Sequence, residues 1–278
     1  MVKLIADSGS TKTDWVLLYD NQLKQEIKTA GINPFHHSHE LINETINKLY
    51  NLLEITEIES IDFYGAGCSL PEKKAIIHQE LFKRFNKAEI TIESDLYGAA
   101  KAVCQGKAGI ACILGTGSNS CQYDGEKILS NTPSLGYILG DEGSGAYLGK
   151  RFLHDCLKGK LSKKTCQTFF EETGLNQSII LDKVYREPLA NRFLASLSYF
   201  LINHRKDLEI KQLLYDCFTD FFLHNIVTKY DTTLPIHFVG SVAYLYQEEI
   251  SHILKELGLK KGNVMQTPME GLLKLEKK

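Results

Sequence analysis

The chain reads as an α/β protein of two related domains, each a mixed sheet flanked by helices. Three observations predict this. Strand and helix patterns alternate along residues 2–95, a Gly/hydroxyl turn between two paired strands recurs further on at 115–119, and helical spacing dominates from residue 143 until a strand at 236–239. With 278 residues, 43% hydrophobic and 24% charged, the chain is long enough for two medium domains. No low-complexity linker interrupts it, so the expected boundary is a hinge near residue 110, giving domains 1–109 and 110–266. The last segment, 267–278, is a helical stretch with the option of packing back on the first domain.

The N-terminal elements follow in order. Val2, Leu4 and Ala6 mark a first strand and Trp15, Val16, Leu17 and Leu18 a second. Between them, Asp7-Ser8-Gly9-Ser10-Thr11-Lys12-Thr13 forms a tight turn that can present backbone N–H groups to an anion, with Gly9 expected to allow φ > 0. A third strand over 23–30 ends at Gly31-Ile32-Asn33-Pro34. Leu41, Ile42, Thr45, Ile46, Leu49, Leu52 and Leu53 recur at helical spacing, and an apolar run over 61–64 closes on Gly65-Ala66-Gly67. A helix over 71–85 gives a βββαβα order, and a strand over 89–93 and Ser94-Asp95 at the head of an Ala-rich helix carry it onward.

The same plan restarts at 109–114, a buried strand, followed by Gly115-Thr116-Gly117-Ser118-Asn119, a strand over 120–123 and an Asp124-Gly125 turn. Helices are expected over 191–204 and 208–230, the latter with an apolar stripe of Ile210, Leu213, Leu214, Cys217, Phe218, Phe221 and Phe222 that suits a core or a subunit interface. Pro235 ends them, and the strand at 236–239 leads into Gly240-Ser241-Val242-Ala243 and a further helix. Val264 and Met265 precede a final helix from Pro268.

Thirty-two basic against 34 acidic side chains leave a formal charge of −2, which gives no reason to expect nucleic acid or an anionic membrane as partner. A small-molecule substrate is the expectation. No apolar run approaches a bilayer's thickness and the N-terminus lacks signal-peptide architecture, so the expected location is cytoplasmic. The seven cysteines include no C-x-x-C pair and no His at metal-ligand spacing, which fits buried reduced thiols better than a metal site or a nucleophile.

Four elements call for a joint explanation: the 7–13 turn, Ser94-Asp95, the 115–119 turn, and Gly240-Ser241-Val242-Ala243. Two phosphate-type turns facing each other across a hinge would hold a nucleoside triphosphate, with the third Gly/Ser turn at its adenosine. This arrangement resembles the sugar kinase, Hsp70 and actin superfamily, and more closely its N-acetylglucosamine kinase branch with the BadF/BadG/BcrA/BcrD-type ATPases. Asp7-x-Gly9-x-Thr11-x-Thr13 matches the first phosphate motif, Leu114-Gly115-Thr116-Gly117-Ser118-Asn119 the second, Gly240-Ser241-Val242-Ala243 the adenosine motif, and Gly136 to Gly145 the Gly-Asp-Glu-Gly-Ser box of this branch.

The resemblance implies two ribonuclease H-like (actin-like ATPase) domains with an ATP cleft between them. It implies Asp7 as a Mg²⁺ ligand through water, with Gly9, Ser10, Thr11, Lys12, Thr13, Gly115, Thr116, Gly117, Gly240 and Ser241 on ATP. Asp95 would be the catalytic base, although on local grounds it also reads as a helix N-cap. Asn33, Asn119, Gly136, Asp141 and Glu142 would bind the sugar, where carboxamides and carboxylates suit hydroxyl and amide groups. The implied reaction is ATP-dependent phosphorylation of an amino sugar, N-acetylglucosamine at O6 first among them. Glucosamine, N-acetylmuramic acid and an ATPase that drives a partner dehydratase or reductase are the alternatives, and a homodimer is one of the assemblies left open. One departure stands out: many relatives carry Gly-Trp-Gly ahead of the acidic box, and this chain has Ser134-Leu135-Gly136.

Overall fold

The structure, a computed structural model, describes residues 1–9 and 11–277. It consists of two compact units, Met1–Gln105 with Pro268–Lys278, and Gly106–Thr267.

In the first unit the chain runs β1 (Val2–Ser8), β2 (Lys12–Tyr19), β3 (Gln22–Ala30), α1 (His39–Leu52), β4 (Ser60–Gly65), α2 (Pro71–Phe82), β5 (Glu89–Ser94) and α3 (Asp95–Cys104). Its five strands lie in the order β3-β2-β1-β4-β5. β1 pairs antiparallel with β2, placing Asp7 opposite Asp14 and Ser8 opposite Thr13, and parallel with β4, placing Asp7 level with Tyr64. Both faces of β1 are covered. Leu4 and Ala6 join the cluster of Trp15, Leu17, Ile61 and Phe63, whereas Ile5 joins Val16, Leu18, Tyr64 and Met269 on the other side. A strand buried on both faces loses the in–out alternation of a half-exposed one, which is why its sequence reads as an apolar run.

The second unit repeats the plan. β6 (Gly109–Leu114), β7 (Ser118–Tyr123), β8 (Ile128–Thr132), α4 (Gly136–Leu139), α5 (Gly145–Leu157), α6 (Lys163–Thr173), α7 (Gln177–Tyr185), α8 (Ala190–Ser196), α9 (Ser198–Asn203), α10 (Leu208–Phe222), β9 (Ile236–Val239), α11 (Ser241–Leu245), α12 (Gln247–Glu256) and β10 (Lys261–Met265) precede α13 (Met269–Glu276), which belongs to the first unit. The strand order β10-β9-β6-β7-β8 is the first sheet's order read from its other end. The α10 stripe is core: its seven residues are all buried, in one cluster with Phe152, Phe169, Phe200 and Phe238. At roughly 1.5–3 kcal/mol for each large apolar side chain buried, such a stripe anchors the helical layer.

Four details differ from expectation. The helix expected over 191–204 is two, because the Leu197 N–H bonds to the Leu194 carbonyl three residues back and the Ser198 hydroxyl takes the Ala195 carbonyl at 2.6 Å. The helix expected over 208–230 is α-helical to Phe222 and widens to a π turn at Leu223–Val227. β10 is a strand where only Val264 and Met265 stood out; Gly262 lets it pass His237, whose Nδ1 would lie 2.5 Å from a Cβ there. Two of the seven cysteines, Cys156 and Cys166, are joined in a disulfide with Cα atoms 5.6 Å apart, and the other five are buried thiols. Among the described residues no helix is long and apolar enough to cross a membrane.

Candidate functional site

In the first unit the site is built at the carboxyl ends of the parallel strands β1, β4 and β5, where ligands of α/β sheets collect. β1 ends at Asp7-Ser8, β4 at Gly65 and β5 at Ser94, with Ser8 level with Gly65 and Gly65 level with Ser94. The structure thus brings Asp7, on β1, and Asp95, directly after β5, to one edge, the two strands separated only by β4. Burial, then the carboxylates of Asp95 and Asp14, push Asp7 up to about 7 against the pull of Lys12. Burial raises Asp95 as well, partly offset by its bond from the Leu96 N–H at 2.8 Å.

Ser94, not Asp95, caps α3: its hydroxyl accepts from the Tyr97 N–H at 3.2 Å. Asp95 is therefore the first helical residue, an anion favoured at a helix N-terminus without closing it.

The first turn is held by side chains. Ser8 and Thr13, both fully buried, share a 2.7 Å hydroxyl bond; Thr13 donates to the Ala30 carbonyl, and Ser8 exchanges bonds with the Ile32 backbone. Thr13 thus faces inward, bracing the turn, while Thr11 and Lys12 stand exposed. The Gly9 N–H closes on the Lys12 carbonyl at 3.0 Å. Gly9 does not adopt the positive φ expected of it, and a Cβ there would meet only the Lys12 carbonyl oxygen at 3.8 Å. Its value is open space beside the turn. Ser10 lies outside the described residues. Lys12 bridges to Asp14 at 2.6 Å.

Asn33, 6% exposed, accepts from the Phe35 N–H with Oδ1 and packs against Gly67, whose φ is +80° and where a Cβ would lie 2.4 Å from that oxygen.

In the second unit the corresponding turn is held by backbone. The first N–H groups of α5, from Gly145 and Ala146, bond to the carbonyls of Gly115 and Thr116 at 2.9 and 3.1 Å. Gly240, at φ +121°, packs so closely on this turn that a Cβ would lie 2.3 Å from the Leu114 carbonyl oxygen. The exposed Ser241 follows it at the start of α11.

Asp141 has a left-handed backbone, φ 58°. Burial raises its carboxyl and Glu142 adds to this, against bonds from the Ser118 N–H and the Ser134 hydroxyl and the pull of Lys150. Its Oδ1 is buried with no hydrogen-bond partner, and Gly117 leaves it room, since a Cβ there would sit 2.8 Å from Oδ2. An orphaned buried acceptor held in a strained backbone is a signature of a functional site. Asn119 turns its Oδ1 onto the Ser120 N–H at 2.9 Å, and Glu142 accepts from Asn225 at 3.3 Å. Gly136, at φ +74°, opens α4.

Residues 6–210 match the sequence profile of the BadF/BadG/BcrA/BcrD ATPase family. The chain belongs to that family. Other comparisons place it more narrowly. It is 42% identical to a Porphyromonas gingivalis protein of solved structure named as a candidate N-acetylglucosamine kinase, with TM-score 0.94 and coverage of 98% of this chain and 97% of that one. It is 28% identical over 192 residues to the N-acetylmuramic acid/N-acetylglucosamine kinase of Clostridium acetobutylicum, covering 66% of this chain. That match spans 62% of the relative's length. A second solved structure, from Chromobacterium violaceum and likewise named as a candidate N-acetylglucosamine kinase, shares the fold at 18% identity, TM-score 0.76, over 99% of this chain and 98% of that one.

Membership of an ATPase family implies nucleotide use, and a magnesium ion arriving with the nucleotide would meet carboxylates at Asp7. The acidic edge around Asp7, with Asp95 and Asp14 nearby and Lys12 and Lys28 against Asp14, suits a cation. Among the described residues no group of three His, Cys, Asp or Glu side chains could hold one alone, so the ion would be shared with phosphates and water, as Mg²⁺ prefers. Sequence reasoning gave no supporting role to Ser8, Ser134 or Lys150, and it named Ser94 but read the cap at Asp95. For Ser94 the signal was present, a Ser immediately ahead of a helical pattern.

Proposed function

We propose that this chain is an ATP-dependent amino-sugar kinase, transferring the γ-phosphoryl group of ATP to O6 of N-acetylglucosamine. The observation that carries this reading is Asp95. It is a carboxylate whose proton affinity burial raises, in the field of Asp7 at the ends of parallel strands, with the cap of α3 supplied by Ser94. A general base needs that affinity, and its site must be dry enough to favour transfer to a sugar over water. The names of the relatives from Porphyromonas gingivalis and Clostridium acetobutylicum support the same reading. ATP supply makes the cytoplasm the fitting location.

In this reading the backbone and hydroxyls at Gly9, Ser10, Thr11, Lys12, Gly115, Thr116 and Gly117 take the phosphates, and Gly240 and Ser241 the adenosine. Thr13 acts through the turn it braces. Asn33, Asn119, Gly136, Asp141 and Glu142 orient the acceptor, the free Oδ1 of Asp141 taking a sugar hydroxyl proton into hydrogen bonding. Mg²⁺ bound with ATP at Asp7 would neutralise phosphate charge. Asp95 takes the proton of the acceptor hydroxyl as its oxygen bonds to phosphorus.

Asp95→Asn is expected to lower kcat by about a thousandfold, within the range for loss of a general base, with ATP affinity little changed. Unchanged turnover would remove Asp95 from the mechanism. Coupled ADP release across hexoses, hexosamines and N-acetylhexosamines tests the reaction itself, and silence on all of them would sink it. The five free cysteines are buried, which favours the kinase over an ATPase carrying an iron–sulfur cluster.

A further inference from the structure

Ahead of Asp141 the chain makes the short α4, and little of that stretch is anchored by burial. Leu135, Ile138 and Leu139 are 58%, 70% and 75% exposed, and α4 has no buried residue. Among the described residues of 135–139 only Tyr137 packs on the core of the second unit. A single helical turn has no stability of its own, so a polar tether must hold it.

The tether is Lys150. From α5 its ammonium donates to the Tyr137 carbonyl at 2.7 Å and lies 5.3 Å from the centre of the Tyr147 ring. That ring is fixed in turn, since the Tyr147 hydroxyl donates to Asp220 of α10 at 2.8 Å. The neighbouring Arg151 has Asp220 as its carboxylate at 3.6 Å, whereas among the described residues Lys150 has a carbonyl and a ring.

Two hydrogen bonds carry the tether to Asp141. The Gly140 N–H closes α4 on the Gly136 carbonyl at 2.8 Å, and the Asp141 carbonyl accepts from the Ser144 N–H at 3.0 Å, at the head of α5. Asp141 is thus suspended between the two elements that Lys150 ties together. Glu142, next in the chain, and Lys150 are the charges that act on its carboxyl, and Lys150 is the one that favours the anion.

Resting on the kinase reading above, we infer that Lys150 is a positioning residue of the acceptor site, strapping α4 to α5 so that the unpartnered Oδ1 of Asp141 is held ready for a sugar hydroxyl. Lys150 touches no substrate and acts through Asp141. Orientation of this kind is set before binding, so its loss falls on KM for the acceptor.

The test pairs kinetics with a titration that needs no substrate. Lys150→Met should raise KM for the amino sugar about tenfold, as loss of one charged hydrogen bond allows, with KM for ATP moving less. The Asp141 carboxyl, followed by carboxyl-carbon NMR and assigned with Asp141→Asn, should titrate at higher pH in Lys150→Met than in the wild type, because the cation that favours its ionised form is gone. Lys150→Arg should restore both. If Lys150→Met does not fold, Lys150→Gln, which keeps a donor and loses the charge, should still move the titration up. An unchanged acceptor KM in folded Lys150→Met, or an unmoved Asp141 titration in either neutral variant, overturns the inference and leaves the kinase reading intact. Silence of the wild type across hexosamines and N-acetylhexosamines overturns the kinase reading and the acceptor role of Lys150 with it.

Discussion

The two Gly/hydroxyl turns sit at equivalent points of two sheets with the same strand order, yet they are held by different means. The first adds side chains to its main-chain closure: beside the Gly9–Lys12 bond, the Ser8 and Thr13 hydroxyls stitch it to the backbone at Ala30 and Ile32. The second is closed by main chain, through the head of α5 and the Gly240 backbone lying against Leu114. A repeated topology therefore does not imply a repeated sensitivity to mutation. The first turn should be fragile at its hydroxyls and tolerant at Gly9, and the second fragile where Gly240 packs on it and at Gly117, where a Cβ would lie 2.8 Å from Asp141 Oδ2.

The sharpest break is Gly240→Ala. A Cβ 2.3 Å from a carbonyl oxygen, on a backbone that side chains rarely adopt, should destabilise by about 3 kcal/mol and impair nucleotide binding in chemical denaturation and titration. Asp7 comes next and tests the electrostatics of the first turn. Its folded-state affinity, about 7 against an ordinary 3.8, means the folded protein keeps a proton that the unfolded chain releases. Stability from this group is present below about pH 4 and is lost as pH rises through about 7. Asp7→Asn should remove that decline and raise the melting temperature at pH 8 by about 5 °C, while abolishing turnover. Magnesium with ATP should stabilise the wild type more at pH 8 than at pH 5.

Thr13→Val follows, expected to destabilise by about 2 kcal/mol by leaving the Ser8 hydroxyl and the Ala30 carbonyl short of a partner. Gly9→Ala should be smallest, within about 0.5 kcal/mol in stability, since 3.8 Å is ordinary contact. If Gly9→Ala proves as damaging as Gly240→Ala, the contrast between the turns is wrong.

Much of this was legible in the sequence because strands and turns are written locally. Val2, Leu4 and Ala6, then Trp15 to Leu18, announce two strands, and the Gly/Ser/Thr runs announce the turns between them. What stayed hidden depends on distant residues. Nothing near Gly262 says that a strand must slip past His237, so only Val264 and Met265 of β10 stood out. Gly9 looked like a conformational hinge because glycine usually is one, whereas its role depends on what lies beside it. The left-handed backbone of Asp141, its unpartnered oxygen and the contact of its carboxylate with Gly117 are not revealed by any spacing within 136–145. Ser94 and Asp95 were both readable as caps; the structure separates them.

One further consequence concerns α13. It returns to the first unit after the whole of the second, with Gly271 pressed on the Ala102 carbonyl and Gln105 donating to the carbonyls of both Ala102 and Gly271. During synthesis the second unit leaves the ribosome complete while the first still waits for its last helix, with Ile5, Val16, Leu18 and Tyr64 missing their cover of Met269 and Leu272. The half that is translated first is thus the half whose core is completed last.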